Sequence, residues 1–147
     1  MALTDGPIPP PSKAPPHPWV FLVVDDEPDT LESIKEMIEL SVQGTRVLTA
    51  STGRQGLDIL DRERVDCVVA DFKMPGMDGL EFLYQCRKTH PHVPRIMLTA
   101  FIEDEVVRRA ITDAFVDEFI PKSADPTDFL RRITRFLAYA PGKRTKL

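Results

Sequence analysis

Four apolar runs in this sequence are each followed or closed by residues that could help to bind a phosphate group or a metal ion. These residues are Asp25 with Asp26, then Asp71, Thr99 and Lys122. If the runs are parallel strands, their carboxyl ends meet at one edge of the sheet, where such sheets bind ligands. Three carboxylates at one edge repel one another and raise at least one pKa unless a cation lies between them. Mg²⁺ suits such a site because it prefers oxygen ligands from carboxylates, carbonyls, water and phosphate.

Each of these residues also has an ordinary structural interpretation when it is considered alone. The adjacent aspartates Asp25 and Asp26 could cap the helix that follows them. Asp71 could begin a turn, and Thr99 could be a plain strand residue. Their joint position at the strand ends is what favours a site that handles phosphate and metal.

The elements that must position these residues are predicted from the hydrophobic pattern. Short runs rich in valine and isoleucine alternate with stretches of helical period, which is typical of a parallel sheet covered by helices on both faces. The sequence therefore predicts an α/β fold with a doubly wound, five-stranded parallel sheet and five helices. The predicted strands cover residues 19–24, 46–50, 67–70, 95–98 and 118–120.

The helices are assigned from apolar residues that recur every three or four positions. Helix one begins at about residue 29, helix four covers about 103–112, and helix five covers about 126–137. Helix three is predicted to present Leu80, Leu83 and either Phe82 or Tyr84 to the sheet. The apolar stripes predicted for helices one and two are Leu31, Ile34, Met37 and Ile38, and Leu57, Ile59 and Leu60.

Composition shifts mark the two ends of the predicted domain, which covers residues 19–138. Residues 1–18 are rich in proline and predict a disordered leader, and residues 139–147 form a basic tail or the start of a linker. The formal net charge of −4 gives no general attraction to nucleic acid. No apolar run approaches the roughly 20 residues that span a bilayer. We therefore expect a cytoplasmic protein that binds neither nucleic acid nor membrane directly.

One segment carries a specific pattern, since the residues from Asp71 to Gly79 read Asp-Phe-Lys-Met-Pro-Gly-Met-Asp-Gly. Val-Val-Asp-Asp-Glu stands at 23–27, Leu-Thr-Ala at 98–100 and Phe-Ile-Pro-Lys at 119–122. In this combination the sequence resembles the response regulator receiver domain family of two-component signal transduction. The resemblance covers the whole predicted domain. It implies a flavodoxin-like fold with the strand order 2-1-3-4-5.

The resemblance also implies how a phosphoryl group and a metal are held. Asp71 would accept the phosphoryl group from a phosphohistidine of a histidine kinase or a histidine phosphotransfer protein. Asp26, Asp71 and the backbone carbonyl of Lys73 would ligate Mg²⁺, for which Mn²⁺ could substitute, and Asp25 would act through a metal-bound water. The family members are phosphoacceptor signalling domains rather than enzymes, although they assist their own phosphotransfer and autodephosphorylation.

Three further residues receive roles from the same resemblance. Lys122 would pair with the phosphate, and the Thr99 hydroxyl would donate to it. Phe119 would then change rotamer and alter the surface formed by helix four, strand five and helix five, which controls a partner or an output domain. Ser123 follows Lys122 where many members have proline, so a cis bond cannot be assumed there and the loop could run trans.

Charged residues on the same predicted surface leave the oligomeric state open. They could be solvated or paired within one molecule. Alternatively, the acidic residues of one protomer could meet the arginines of another in a symmetric homodimer. The residues concerned are Glu103, Asp104, Glu105, Asp117 and Glu118 on the acidic side and Arg131, Arg132 and Arg135 on the basic side.

Three other functions fit the residues less well than the receiver does. A Mg²⁺ phosphohydrolase with an aspartyl phosphate should show Asp-x-Asp after its first strand, but Asp25 and Asp26 are adjacent. A nucleotide- or flavin-binding module should show a glycine-rich phosphate loop there, and none is present. A degenerate receiver should lack the acceptor or the lysine, whereas Asp71 and Lys122 are both present.

Overall fold

The computed structural model describes residues 18–100, 105, 108, 109, 113 and 115–138. These residues form a five-stranded parallel sheet in the order β2-β1-β3-β4-β5. The predicted strand order is therefore confirmed, and each predicted strand is found within one residue at either end. The strands are β1 Trp19–Val24, β2 Thr45–Ala50, β3 Cys67–Asp71, β4 Arg95–Thr99 and β5 Glu118–Pro121.

The three inner strands are buried along their whole length, which explains why most of their residues are apolar. Every residue of β1, β3 and β4 is buried, whereas the edge strands β2 and β5 each contain partly exposed residues. Helices on both faces divide the interior into two hydrophobic clusters, one containing Phe21 and Ile34, the other Leu22 and Phe82. Successive residues of one strand thus enter opposite clusters, as expected for side chains that alternate across a sheet.

The helices cover the sheet through a few large side chains. Helix α1 spans Pro28–Ser41, α2 spans Gly53–Arg62 and α3 spans Gly79–Thr89. The C-terminal helix spans Pro126–Thr134 and continues as a 3₁₀ turn over Arg135–Ala138. None of the described helices is both long enough and apolar enough to cross a bilayer.

Two helix predictions are refined by the structure. On α3, Phe82 and Leu83 are completely buried, whereas Tyr84 is 41% exposed, so Phe82 and not Tyr84 faces the sheet. The predicted helix four lies largely outside the described residues, although Glu105, Arg108 and Arg109 are helical. The predicted leader and tail also lie outside the described residues, apart from Pro18.

Helix side chains cover the backbone at both edges of the sheet. On β2, the Val47 N–H donates to Glu39 Oε2 at 2.8 Å and the Val47 carbonyl accepts from Lys35 Nζ at 3.3 Å. On β5, the Phe119 carbonyl accepts from Arg132 Nη1 at 3.2 Å. These contacts satisfy backbone groups that an open sheet edge would otherwise offer to another strand.

Candidate functional site

Three aspartates meet at the carboxyl ends of the two central strands. Asp25 and Asp26 follow β1, and Asp71 is the last residue of β3. One carboxylate oxygen from each lies within 4.8 Å of the other two. This is the point where the strand order reverses, since β2 lies on one side of β1 and β3 on the other. The predicted convergence of the carboxylates is therefore observed.

The three carboxylates differ in exposure. The side chain of Asp25 is 2% exposed and that of Asp71 is 8% exposed. Asp26 is more open to solvent than either. Asp25 Oδ1 also accepts a hydrogen bond from the Glu27 N–H at 2.9 Å, which fixes the start of the loop after β1.

Lys122 brings a positive charge to the two buried carboxylates. Its Nζ lies 3.2 Å from Asp71 Oδ1 and 3.4 Å from Asp25 Oδ2. Its backbone N–H donates to the Thr99 carbonyl at 3.0 Å, which ties the end of β5 to the end of β4. No peptide bond among the described residues is cis. The loop through Ser123 thus runs trans, and the lysine still reaches the aspartates.

The charges at the site shift two pKa values. Burial raises the pKa of Asp71, and the neighbouring charge of Asp25 raises it further, although Lys122 and the Phe72 N–H act in the opposite direction. Burial alone would lower the pKa of Lys122, but the charges of Asp71 and Asp25 outweigh it, and its pKa lies above the ordinary value. Burial is the main cause of the Asp71 shift. The further contributions of Asp25 to the pKa of Asp71 and of both aspartates to that of Lys122 reflect negative charge that a cation would neutralise.

The donor set fits a hard divalent cation. All three aspartates offer carboxylate oxygens, and their separation of up to 4.8 Å allows direct contact by some and contact through water by another. Mg²⁺ is characteristically bound through one or two carboxylates with several waters retained. A wholly protein-made cage is therefore not required.

The remaining predicted residues lie around this centre. Thr99 ends β4 and is completely buried, one residue beyond Leu98, which is the register partner of Asp71. Phe119 lies on β5 and is 9% exposed. Lys73 is exposed, and its ammonium group lies 5.3 Å from the centre of the Phe72 ring.

A tight loop connects Asp71 to α3. Gly76 adopts φ of 74°, a left-handed conformation that favours glycine. Asp78 Oδ1 then caps α3 by accepting from the Glu81 N–H at 2.9 Å. Gly79 begins the helix, and its N–H donates back to the Phe72 carbonyl at 2.8 Å. The close contact at Gly79 was not predicted from the sequence.

The fold and the site together define a doubly wound α/β domain with an acidic centre at its topological switch point. The family model for the response regulator receiver domain matches residues 21–134. The chain belongs to the response regulator receiver domain family.

Individual relatives agree with this assignment. Response regulator MprA of Mycolicibacterium vanbaalenii is 39% identical over 121 residues, which cover 82% of this chain and 51% of MprA. A CheY-like receiver domain protein from Methanospirillum hungatei is 29% identical, with a TM-score of 0.76 over 88% of this chain and 98% of that one. Response regulator protein TrrA from Thermotoga maritima, solved in complex with Mg²⁺-BeF, is 30% identical, with a TM-score of 0.71 over 80% and 98%.

The shared region is only part of most of the curated relatives. The chain spans 51% of the length of MprA and 24% of the length of a transcriptional regulatory protein from Escherichia coli. The comparisons therefore concern the receiver domain and not the activity of the longer proteins.

Proposed function

We propose that residues 19–138 form a phosphorylation-dependent signalling switch in which Asp71 accepts the phosphoryl group with the help of Mg²⁺. The observation that carries this proposal is the position of Asp71. Its nearly buried carboxylate lies beside an acidic pair and 3.2 Å from the ammonium group of Lys122. The TrrA structure contains Mg²⁺-BeF, which supports a divalent cation and a phosphate-like group in a related domain.

The proposed transfer joins two anions, so charge neutralisation is its main requirement. A carboxylate oxygen of Asp71 forms a bond to phosphorus while the bond between phosphorus and the donor histidine nitrogen breaks, and the electron pair returns to the imidazole. Lys122 Nζ lies close enough to pair with the incoming phosphoryl group. Mg²⁺, held by Asp26, Asp71 and the Lys73 carbonyl, with Asp25 acting through water, would supply the remaining positive charge.

The output would depend on Thr99 and Phe119. A phosphoryl group on Asp71 offers new oxygen acceptors beside the end of β4, where Thr99 lies. Movement of the Thr99 hydroxyl towards them would leave space for Phe119 on the neighbouring strand, since Phe119 is the register partner of Met97. This is a shift between two populations of one fold.

Phosphorylation of Asp71 is tested directly with a small phosphodonor such as acetyl phosphate. Intact-mass measurement should show one added phosphate in wild type with Mg²⁺ and none with EDTA or in Asp71→Asn. Asp66→Asn is a matched control because the Asp66 side chain is also 8% exposed but lies at the start of β3, and it should be modified normally. Stoichiometric modification of Asp71→Asn would contradict the proposal.

The proposed partner is a histidine kinase or a histidine phosphotransfer protein. An apolar pocket of about 260 Å³ lies beside Lys122 between α1 and the C-terminal helix, with Ile34, Met37 and Phe129 in its lining. A donor protein that packs there would be close to Asp71. Met37→Ser should then slow transfer from the donor protein while leaving acetyl phosphate labelling unchanged, because Met37 is only partly buried.

A homodimer through the surface of β5 and the C-terminal helix would have to replace ion pairs within one chain by ion pairs between two chains. Glu118 already lies 2.5 Å from Arg135 and 3.4 Å from Arg132 of the same chain, and Arg131 pairs with Asp128 at 3.0 Å. Glu103 and Asp104 lie outside the described residues. Light scattering with beryllofluoride and Mg²⁺, at low and high salt, distinguishes a salt-sensitive dimer from a monomer that acts on another protein.

A further inference from the structure

From the contact between the start of α3 and the end of β3, we infer that Gly79 is a positioning residue for the acceptor. It holds the Asp71–Phe72 peptide in place because it has no side chain. This inference rests on the proposed function of Asp71. Among the described glycines, only Gly44 and Gly76 have positive φ. The requirement at Gly79 is therefore for space and not for an unusual backbone angle.

The available space is very small. A Cβ atom added to Gly79 would lie 2.0 Å from the Asp71 carbonyl oxygen, 2.8 Å from its carbonyl carbon and 2.9 Å from the Phe72 Cα. Real Cβ atoms essentially never approach other heavy atoms closer than 3.0 Å. All three neighbours are backbone atoms, which cannot rotate away as the end of a flexible side chain can.

The clash would act on the acceptor through a single rigid unit. The Asp71 carbonyl and the Phe72 N–H belong to the same planar peptide. That N–H donates to the Asp71 carboxylate. Any tilt that moves the carbonyl away from a Cβ atom at position 79 therefore also moves this N–H relative to the carboxylate. Lys73, the next residue, carries the carbonyl proposed as a Mg²⁺ ligand.

The structure offers little freedom to relieve the clash elsewhere. Asp71 is paired in register with Leu98 on β4, and its neighbour Ala70 is paired with Val24 on β1. On the other side, α3 is fixed by Phe82 and Leu83, which are completely buried. To reach a 3.0 Å contact, the Asp71 carbonyl oxygen and the added Cβ atom would have to separate by about a further 1 Å. This displacement is large compared with the few tenths of an ångström that metal–ligand distances tolerate.

The test compares Gly79→Ala with Gly56→Ala, since both add one methyl group to a helical glycine. At Gly56 the Cβ atom would meet the Phe82 ring at 2.8 Å, so stability should fall without a direct effect on the Asp71 peptide. Urea unfolding in EDTA measures stability, and calorimetric titration with Mg²⁺ alone measures affinity. Gly79→Ala should lose at least about tenfold in Mg²⁺ affinity, while Gly56→Ala should remain within about threefold of wild type.

A third variant separates the position of Gly79 from the stability of α3. Asp78→Ala removes the helix cap but adds no atom near Asp71, and it should retain its Mg²⁺ affinity while losing stability. If Gly79→Ala does not fold, the titrations are repeated for all variants in trimethylamine N-oxide, which favours compact states. If it still does not fold, the result for Asp78→Ala is used instead. Retained Mg²⁺ affinity in this variant supports the inference, and a tenfold loss of Mg²⁺ affinity overturns it.

Failure of the inference and failure of the proposed function give different results. Wild-type affinity in a folded Gly79→Ala, or an equal loss in Gly56→Ala, would overturn the positioning role alone. A wild-type chain that neither binds Mg²⁺ nor accepts phosphate would instead overturn the function on which the inference rests.

Discussion

Replacing the proposed acceptor by its uncharged isostere should stabilise the metal-free fold. In Asp71→Asn the side chain keeps its shape but no longer repels Asp25 and Asp26. We expect the free energy of unfolding in EDTA at neutral pH to rise by about 1 to 2 kcal/mol, an estimate from Coulomb's law at an effective dielectric constant near 20. A substitution that removes the central functional group would thus make the protein more stable.

The magnitude follows from the distances at the site. Attraction between Lys122 Nζ and Asp71 Oδ1, 3.2 Å apart, is worth about 5 kcal/mol. Repulsion from each of Asp25 and Asp26, at no more than 4.8 Å, is worth at least about 3.5 kcal/mol. Desolvation of the buried Asp71 charge, which is the largest cause of its raised pKa, adds to these repulsions. Together they exceed the attraction to Lys122, and the greater exposure of Asp26 reduces its share through solvent screening.

The pH dependence has a definite sign. The folded-state pKa of Asp71 is raised above its unfolded value. The protonated Asp71 carboxyl therefore stabilises the fold relative to the charged form. This stabilisation is complete below the unfolded pKa of about 3.9 and is lost as the pH rises through the folded pKa. The stability difference between Asp71→Asn and wild type should accordingly be largest at neutral pH and disappear below about pH 4.

Urea unfolding followed by Trp19 fluorescence is a suitable assay. Trp19 is the single tryptophan, is 4% exposed and begins β1, at the opposite end of the sheet from the aspartates. Adding Mg²⁺ at ten times its dissociation constant should stabilise wild type by about 1.4 kcal/mol and Asp71→Asn by less. Asp66→Asn should instead be destabilised, because Asp66 Oδ2 accepts from the Val20 N–H at 2.9 Å. A less stable Asp71→Asn in EDTA, or equal stabilisation of both chains by Mg²⁺, would refute the reasoning.

Three further predictions concern the sheet edges and the switch. Burial alone would raise the pKa of Glu39, but the Val47 N–H and the ammonium group of Lys35 outweigh this effect, so the pKa is lowered. Glu39→Gln should therefore cost about 1 kcal/mol at neutral pH, and urea unfolding from pH 7 to 3 should show this difference vanish as the pH falls through the lowered folded pKa. Arg132→Met removes the donor to the Phe119 carbonyl and should speed hydrogen exchange in β5, measured by mass spectrometry; unchanged exchange would show that the contact does not protect this edge. Thr99→Ala should leave phosphorylation intact but weaken the beryllofluoride-induced NMR shifts of Phe119, and full-sized shifts would reject the coupling.

The sheet and the meeting of the carboxylates at one edge could be predicted, because both follow from patterns of neighbouring residues in the sequence. Strand β1 is buried on both faces and is apolar at every position, so its carboxyl end is marked by the first charged residue, Asp25. In a parallel sheet, the polar residues at the carboxyl ends of the strands lie at one edge. Asp25 and Asp71 are therefore brought together by topology, although they are far apart in the sequence.

Other features depend on distances that no local pattern encodes. Phe82 and Tyr84 are both aromatic and only two positions apart on α3, so the sequence alone did not determine which one faces the sheet. Gly79 could have been suspected, because glycine at the start of a helix gives up about 1 kcal/mol relative to alanine. Its contact with the Asp71 carbonyl nevertheless depends on how α3 approaches β3. The edge contact between Glu39 and Val47 likewise requires the packed position of α1.

The geometry also supports the proposal that Asp71, among three neighbouring carboxylates, is the acceptor. Asp25 has one oxygen held by the Glu27 N–H and the other near Lys122, and its side chain is only 2% exposed. Asp26 is more exposed to solvent, and the ion pairs of Lys122 among the described residues are with Asp25 and Asp71. Asp71 combines the closer approach to Lys122 with a pKa that is raised mainly by burial and further by the charge of Asp25. The same repulsion that destabilises the metal-free fold therefore favours binding of a cation, and with it the neutralisation that phosphoryl transfer requires.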